Sequence, residues 1–181
     1  YLYPDTTLFV IDGDLTKLAC DSVLIPVDPT LSVTKLWCHL LDMDRPGIIE
    51  GHPPFPEGQR AMPYMPKVLS NGVCPVWLGD IGRSGRVSDD WYSDCLSDFI
   101  ELAAPILRDS NTRAVPPRVA VNVAGSGWGG SSQDKGLLFR TIVPRLEDAC
   151  HKFGVDVVLV CWGNQQYSAA QRARAQLHQS I

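Results

Sequence analysis

No run of this sequence stays apolar for the ~18 residues at which a membrane-spanning helix becomes the natural reading, and no secretory leader pattern is visible. The expected location is the cytoplasm, with no membrane partner. A basic excess is missing as well. The 16 Lys and Arg against 20 Asp and Glu leave a formal charge of −4, so there is no cationic field to hold nucleic acid by its phosphates. The six cysteines (Cys20, Cys38, Cys74, Cys95, Cys150, Cys161) form no CxxC pair and have no nearby His at metal-ligand spacing. They read as reduced, buried small hydrophobes, and neither a metal nor a cofactor is expected. His39, His52, His151 and His178 fall in separate segments, so no Ser/His/Asp or Cys/His set is assembled by proximity. Phosphate-loop chemistry is excluded too, because no Gly-Lys-Ser/Thr follows a glycine cluster and Lys135 comes five residues after Gly130.

What is present suffices for one good core: 181 residues, 45% of them hydrophobic, expected to form a single domain over 1–181. The chain opens on Tyr1 rather than Met and closes inside a helical pattern, SAAQRARAQLHQSI. It reads as an excerpt from a longer protein, with a further domain expected beyond Ile181.

Apolar, β-rich runs at 7–11 (TLFVI), 21–27 (DSVLIPV), 73–78 (VCPVWL), 118–124 (RVAVNVA) and 155–161 (VDVVLVC) predict buried strands. Pro26 marks a sheet edge or a strand terminus. Helical spacing predicts helices over 32–42 with Ser32 as cap, 88–109 with a kink at Pro105, 133–153 and 165–177. Between them, residues 46–67 hold six prolines, which excludes a regular helix or a central strand and suggests a lid or binding loop. Residues 79–85 form a second, glycine-spaced loop. Strands alternating with helices in the second half predict a mostly parallel sheet with helices on both faces, which binds ligands at the carboxyl ends of its strands.

Two turns lie at such ends. One is Asp12-Gly13-Asp14-Leu15-Thr16. The other, Gly125-Ser126-Gly127-Trp128-Gly129-Gly130, joins a buried strand to a helix. Glycines let the backbone approach a bulky anion, and the following helix offers unpaired N–H groups and the positive end of its dipole. This is a phosphate cradle in outline. Gly125, Gly127 and Gly130 also spell GxGxxG, the dinucleotide fingerprint, but the context disagrees. The next strand ends Val160-Cys161-Trp162-Gly163 without the ribose-binding acid, and too few βα units follow.

The pair LFVIDGDLTKLACDSVLIPVD and VAVNVAGSGWGG, in this order and in these strand contexts, resembles the macro domains, in a divergent, bacterial-type form, from Leu8 to about Arg174. The resemblance implies a three-layer α/β/α fold with a mixed, mostly parallel sheet, and binding of ADP-ribose, NAD or an NAD-derived nucleotide as a small-molecule partner. Asp14 would accept from the adenine amino group and the Leu15 N–H would meet the ring. Gly125, Ser126, Gly127, Trp128, Gly129 and Gly130 would surround the diphosphate and the distal ribose, and Trp162 stands where many members place an aromatic against adenine. It also implies that a fused NAD-processing domain is plausible in such proteins.

Each residue has a plainer reading. Asp14 could cap a turn, the glycines could serve only a tight connection, and Trp162 could be rim packing. Trp128 could cover a ligand sugar or pack beneath the Pro-rich segment. Hydrolytic macro domains follow the second strand with Asn and a glycine-rich loop, whereas this chain has IPVDPTLSVTKLW. Asp28 is then the one weak catalytic candidate, as a base on water, against a turn cap before Pro29. The expected function is a binding module. The alternatives are an ADP-ribosyl hydrolase using Asp28 and an interaction domain with a vestigial pocket.

Overall fold

The computed structural model describes residues 5–82, 89–123 and 135–179. Its strands are β1 (Leu8–Asp12), β2 (Ser22–Val27), β3 (Ser32–Val33), β4 (Gly47–Ile48), β5 (Ala61–Pro63), β6 (Val76–Asp80), β7 (Arg118–Asn122) and β8 (Asp156–Cys161). The α-helices are α1 (Asp89–Ser110), α2 (Lys135–Phe153) and α3 (Asn164–Gln179). Six strands form one sheet in the order β1-β8-β7-β2-β6-β5, parallel except for β5, and β3 pairs with β4 in a small antiparallel sheet.

Strand alternation sends two sets of side chains to two cores. Leu8, Val10, Val119, Val121, Val157 and Leu159 face the α-helices, where Phe99, Ile100, Phe139 and Ile142 are fully buried. Val23, Ile25, Val27, Leu78, Ala120, Val158 and Val160 face Trp37, Cys38, Leu41 and Tyr64 on the other side. The architecture is the expected three layers about a mostly parallel sheet. The second outer layer, however, is not α-helical.

The helix expected over 32–42 is the clearest departure. Ser32 and Val33 are taken by the pairing with Ile48 and Gly47, so Ser32 caps nothing. The seven residues left, Lys35–Leu41, form a 3-10 helix whose N-cap Thr34 makes no side-chain capping bond and whose C-cap Asp42 is left-handed. So short a segment gains little from α-helical propagation and is held by tertiary burial of Trp37, Cys38 and Leu41.

Pro26 lies in a central strand, not at a sheet edge, and the terminus reading explains why it is tolerated. β7 pairs with β2 only at Ser22 and Val23, so the missing N–H of Pro26 falls beyond that ladder, with Gly79 of β6 opposite on the other side. β7 meanwhile stays paired with β8 through Asn122. The sheet therefore parts between β2 and β7 toward its carboxyl end.

The Pro-rich stretch contains no central strand or α-helix, as expected, but it supplies the edge strand β5 and a 3-10 turn at Met65–Lys67. Tyr64 pins it to the second core, donating its hydroxyl to the Leu41 carbonyl at 3.0 Å. All six cysteines are free thiols, and burial pushes Cys150 and Cys161 up to about 12, well away from the reactive thiolate. Among the described residues, no helix is long and apolar enough to cross a membrane.

Candidate functional site

At the end of β1 the chain turns back under the β8–α3 connection. Gly13 N–H donates to the Cys161 carbonyl at 3.0 Å, and Asp12 Oδ1 accepts from Gly163 N–H at 2.7 Å. Asp14 then caps the 3-10 turn Leu15–Lys17, its Oδ1 accepting from Thr16 N–H at 3.0 Å and from the Thr16 hydroxyl at 2.6 Å. The Thr16 hydroxyl, then the Thr16 N–H, hold its carboxyl below the ordinary value, so it is an acceptor only. Its Oδ2 lies 3.6 Å from Lys17 Nζ, an exposed pair that contributes little. The N–H of Leu15, at the first position of the turn, has no partner within it.

These groups border a cleft of about 280 Å³. Gly13, Asp14 and Leu15 form one side, Leu36 and Trp37 another, and Asn122 with Val123 of the β7 end a third. Val160, Trp162 and Gln166 of the β8–α3 connection complete it. Trp162 is 66% exposed, and Leu36, also exposed, stands on the same cleft. Its volume lies just below the range of about 300–1,000 Å³ typical of ligand pockets, enough for a base and short of a whole dinucleotide.

Asp14, Leu15 and Trp162 are thus brought together. Asp28 is not among the residues lining the cleft: at the end of β2, its Oδ1 accepts from Thr30 N–H at 2.9 Å, the Thr30 hydroxyl at 2.6 Å and Ser32 N–H at 3.0 Å, the geometry of a turn cap. The turn Gly125, Ser126, Gly127, Trp128, Gly129 and Gly130 lies outside the described residues, separated from Val123 in the chain by Ala124 alone. Two polar residues of the cleft were not anticipated. Asn122 ends β7, and its carbonyl accepts the Tyr92 hydroxyl while its amide makes no hydrogen bond to a described residue. A polar residue closing the apolar run VAV was the available signal. Gln166 is buried in the first turn of α3 and accepts from Trp162 N–H through Oε1 at 2.8 Å. Among the described residues, no group of three His, Cys, Asp or Glu is placed to hold a metal ion.

A fourth acid at the carboxyl end of the sheet, Asp80, behaves oppositely to Asp14. Asp80 ends β6, 7% exposed, with Oδ1 accepting from Gly82 N–H at 2.7 Å. Burial raises its carboxyl above the ordinary value, outweighing the Gly82 bond and Arg60, with Asp28 adding to the rise. A raised carboxyl makes the native state hold its proton more tightly than the unfolded chain does. Its cost is therefore absent below the unfolded value of about 3.9 and grows as pH rises toward the folded value. Asp80→Asn, which keeps an acceptor for Gly82, is expected to raise the melting temperature at neutral pH, with the gain shrinking as pH falls toward about 3.9. Calorimetric melts across that range check it, and a gain independent of pH would contradict it.

Neither a family model nor a curated protein matches this sequence. Solved structures do match its fold. A macrodomain of Oceanobacillus iheyensis, solved with ADP, is 14% identical and aligns over 98% of this chain and 94% of that one, with a TM-score of 0.62. The macrodomain of Trypanosoma brucei in complex with ADP-ribose is 12% identical over 93% of this chain and 69% of that one, with a TM-score of 0.57. A portion of the alphavirus structure P23pro-zbd, 11% identical, aligns over 97% of this chain and 24% of that one with a TM-score of 0.58. The mostly parallel sheet with a cleft at its carboxyl end belongs to the open α/β class. Within that class the chain has the macrodomain fold, as the GDLT and glycine-turn motifs implied.

Proposed function

We propose that the domain is a binding module for ADP-ribose, NAD or a nucleotide derived from them. The observation that carries this is the convergence on one cleft of an ionised acceptor (Asp14), a backbone donor (Leu15 N–H) and a largely exposed indole (Trp162). These are the three contacts a purine needs: an acceptor for an exocyclic amine, a donor for a ring nitrogen, and a stacking face worth about 1–3 kcal/mol per base. Two structural relatives hold ADP and ADP-ribose in the same fold. The glycine turn after Val123 is assigned to the diphosphate on composition and position, since it follows the β7 end that lines the cleft.

A sensing role is favoured over hydrolysis by the geometry of Asp28, whose Oδ1 is occupied by three turn bonds. Titration calorimetry with ADP-ribose, NAD and ADP is the test. Saturable heat with a single site is expected, and silence with all three would sink the reading in favour of an interaction domain with a vestigial pocket. Release of ADP-ribose from a modified protein, abolished in Asp28→Ala, would establish the hydrolase instead.

A further inference from the structure

We infer that Gln166 is a specificity-determining residue that meets the bound nucleotide, offering hydrogen-bond donors to a neutral acceptor on its base or ribose. This rests on the nucleotide-binding reading of the same cleft. Gln166 is 5% exposed, yet it lines the cleft beside Asp14 and Trp162. The orientation of its amide is not arbitrary. A backbone N–H can only donate, so the 2.8 Å contact with Trp162 N–H identifies the atom there as the oxygen. The nitrogen, with two donors, is left with no hydrogen bond to a described residue, and it is not among the fully occluded unpaired atoms. Gln166 is a lining residue of the cleft, and we take the cleft as the side on which a ligand would meet this nitrogen.

The bond to Trp162 resembles the returning half of a capping box, in which a Gln or Glu in the first helical turn accepts from a backbone N–H just before the helix. For that task a Glu serves at least as well, because a carboxylate is the stronger acceptor and is favoured at a helix N-terminus. The amide adds only its donors, in a place where Asp14 is already an acceptor. Asp14 thus asks the ligand for a donor and Gln166 asks it for an acceptor, a pairing that an adenine nucleoside satisfies through its exocyclic amine and its ring nitrogens or ribose oxygens.

Gln166→Glu separates the two roles. The carboxylate still accepts from Trp162 N–H, while the cleft loses its donors and gains a negative charge. Titration of full-length protein with ADP-ribose is expected to show an affinity at least about tenfold lower, with a melting temperature equal to or above that of the unsubstituted protein. Gln165→Glu, one residue away and exposed, controls for charge alone and is expected to bind within a factor of about two. Titrations with 3-deaza-ADP, 7-deaza-ADP and 2′-deoxy-ADP locate the acceptor. The analogue lacking it binds the unsubstituted protein more weakly and loses less in Gln166→Glu than ADP itself does. Unchanged affinity in Gln166→Glu, or an equal loss in Gln165→Glu, overturns the assignment. If the unsubstituted protein takes up no adenine nucleotide, the binding reading itself falls and this inference with it.

Discussion

Asp14→Asn is expected to weaken ADP-ribose binding by about 1.5–3 kcal/mol, roughly tenfold to 150-fold, while leaving stability within about 0.5 kcal/mol. The substitution is nearly isosteric, and its effect follows from how the two carboxylate oxygens are employed. Oδ1 is committed to Thr16 N–H and the Thr16 hydroxyl. An asparagine can place its own oxygen there, since Asn caps helical turns about as well as Asp. Its amide nitrogen then occupies the place of Oδ2 and presents donors where the adenine amine also presents donors. Asp14→Ala would be harder to interpret, because losing the cap alone costs about 1 kcal/mol. Calorimetric titration beside a thermal melt checks the asparagine variant. Native affinity in a folded protein would confine Asp14 to its turn. Because its carboxyl is held below the ordinary value, the contact is expected to persist with acidification past about 3.9 and to fade only as pH falls through the lowered value.

The central strands and the three α-helices of the described residues were legible in the sequence because their signals are local. Runs such as VDVVLVC need burial on both faces, and the helical patterns repeat their apolar positions over several turns. The second face of the sheet was not legible. The periodicity over 32–42 is helical, but Ser32 and Val33 find Ile48 and Gly47 across a loop, a contact that no window around either segment contains. β5 is similar. Its three residues carry no strand signal, yet the Arg60 carbonyl just before it receives the Asp80 N–H at 2.7 Å, which sets its register beside β6.

The cleft divides along the same line. Asp14 and Trp162 stand at the ends of strong strands and could be placed by reading alone. Asn122 and Gln166 reach the cleft only because the ends of β1, β7 and β8 converge there, and a glutamine in a helical pattern gives no sign that its side chain is buried. At Asp14 the turn-cap reading is observed, and it leaves room for the proposed adenine contact, because the cap uses only Oδ1. Oδ1 caps the turn while Asp14 lines the cleft, so the proposed acceptor is the remaining oxygen, Oδ2.

Gly79→Val is expected to destabilise the fold by about 3 kcal/mol or more, a fall of roughly 6–12 °C in melting temperature for a chain of this size. Gly79 sits inside β6, beside Pro26 of β2 and Ala61 of β5, where the sheet passes directly beneath α1. A Cβ at this position would lie 2.7 Å from Cys95 Sγ and 3.0 and 3.1 Å from the two Leu24 methyl carbons. Cys95 is fully buried and donates to the Arg60 carbonyl at 3.3 Å, so the sulfur has little freedom to move aside. The backbone angle is not what requires glycine here; the missing side chain is. This explanation separates from a general intolerance of strand substitutions by a double-mutant cycle. Gly79→Ala alone is expected to cost about 1–3 kcal/mol, and Cys95→Ala alone removes a sulfur whose partner carbonyl keeps its bond from Asp80 N–H. Combined, the added methyl enters the space the sulfur leaves, so the pair should cost less than the sum by about 0.5–3 kcal/mol. Strict additivity would place the strain elsewhere, at Leu24. Because β6 ends in Asp80 at the carboxyl edge of the sheet, a shift of this strand would also reach the end of β2 and the parting of the sheet beside the cleft.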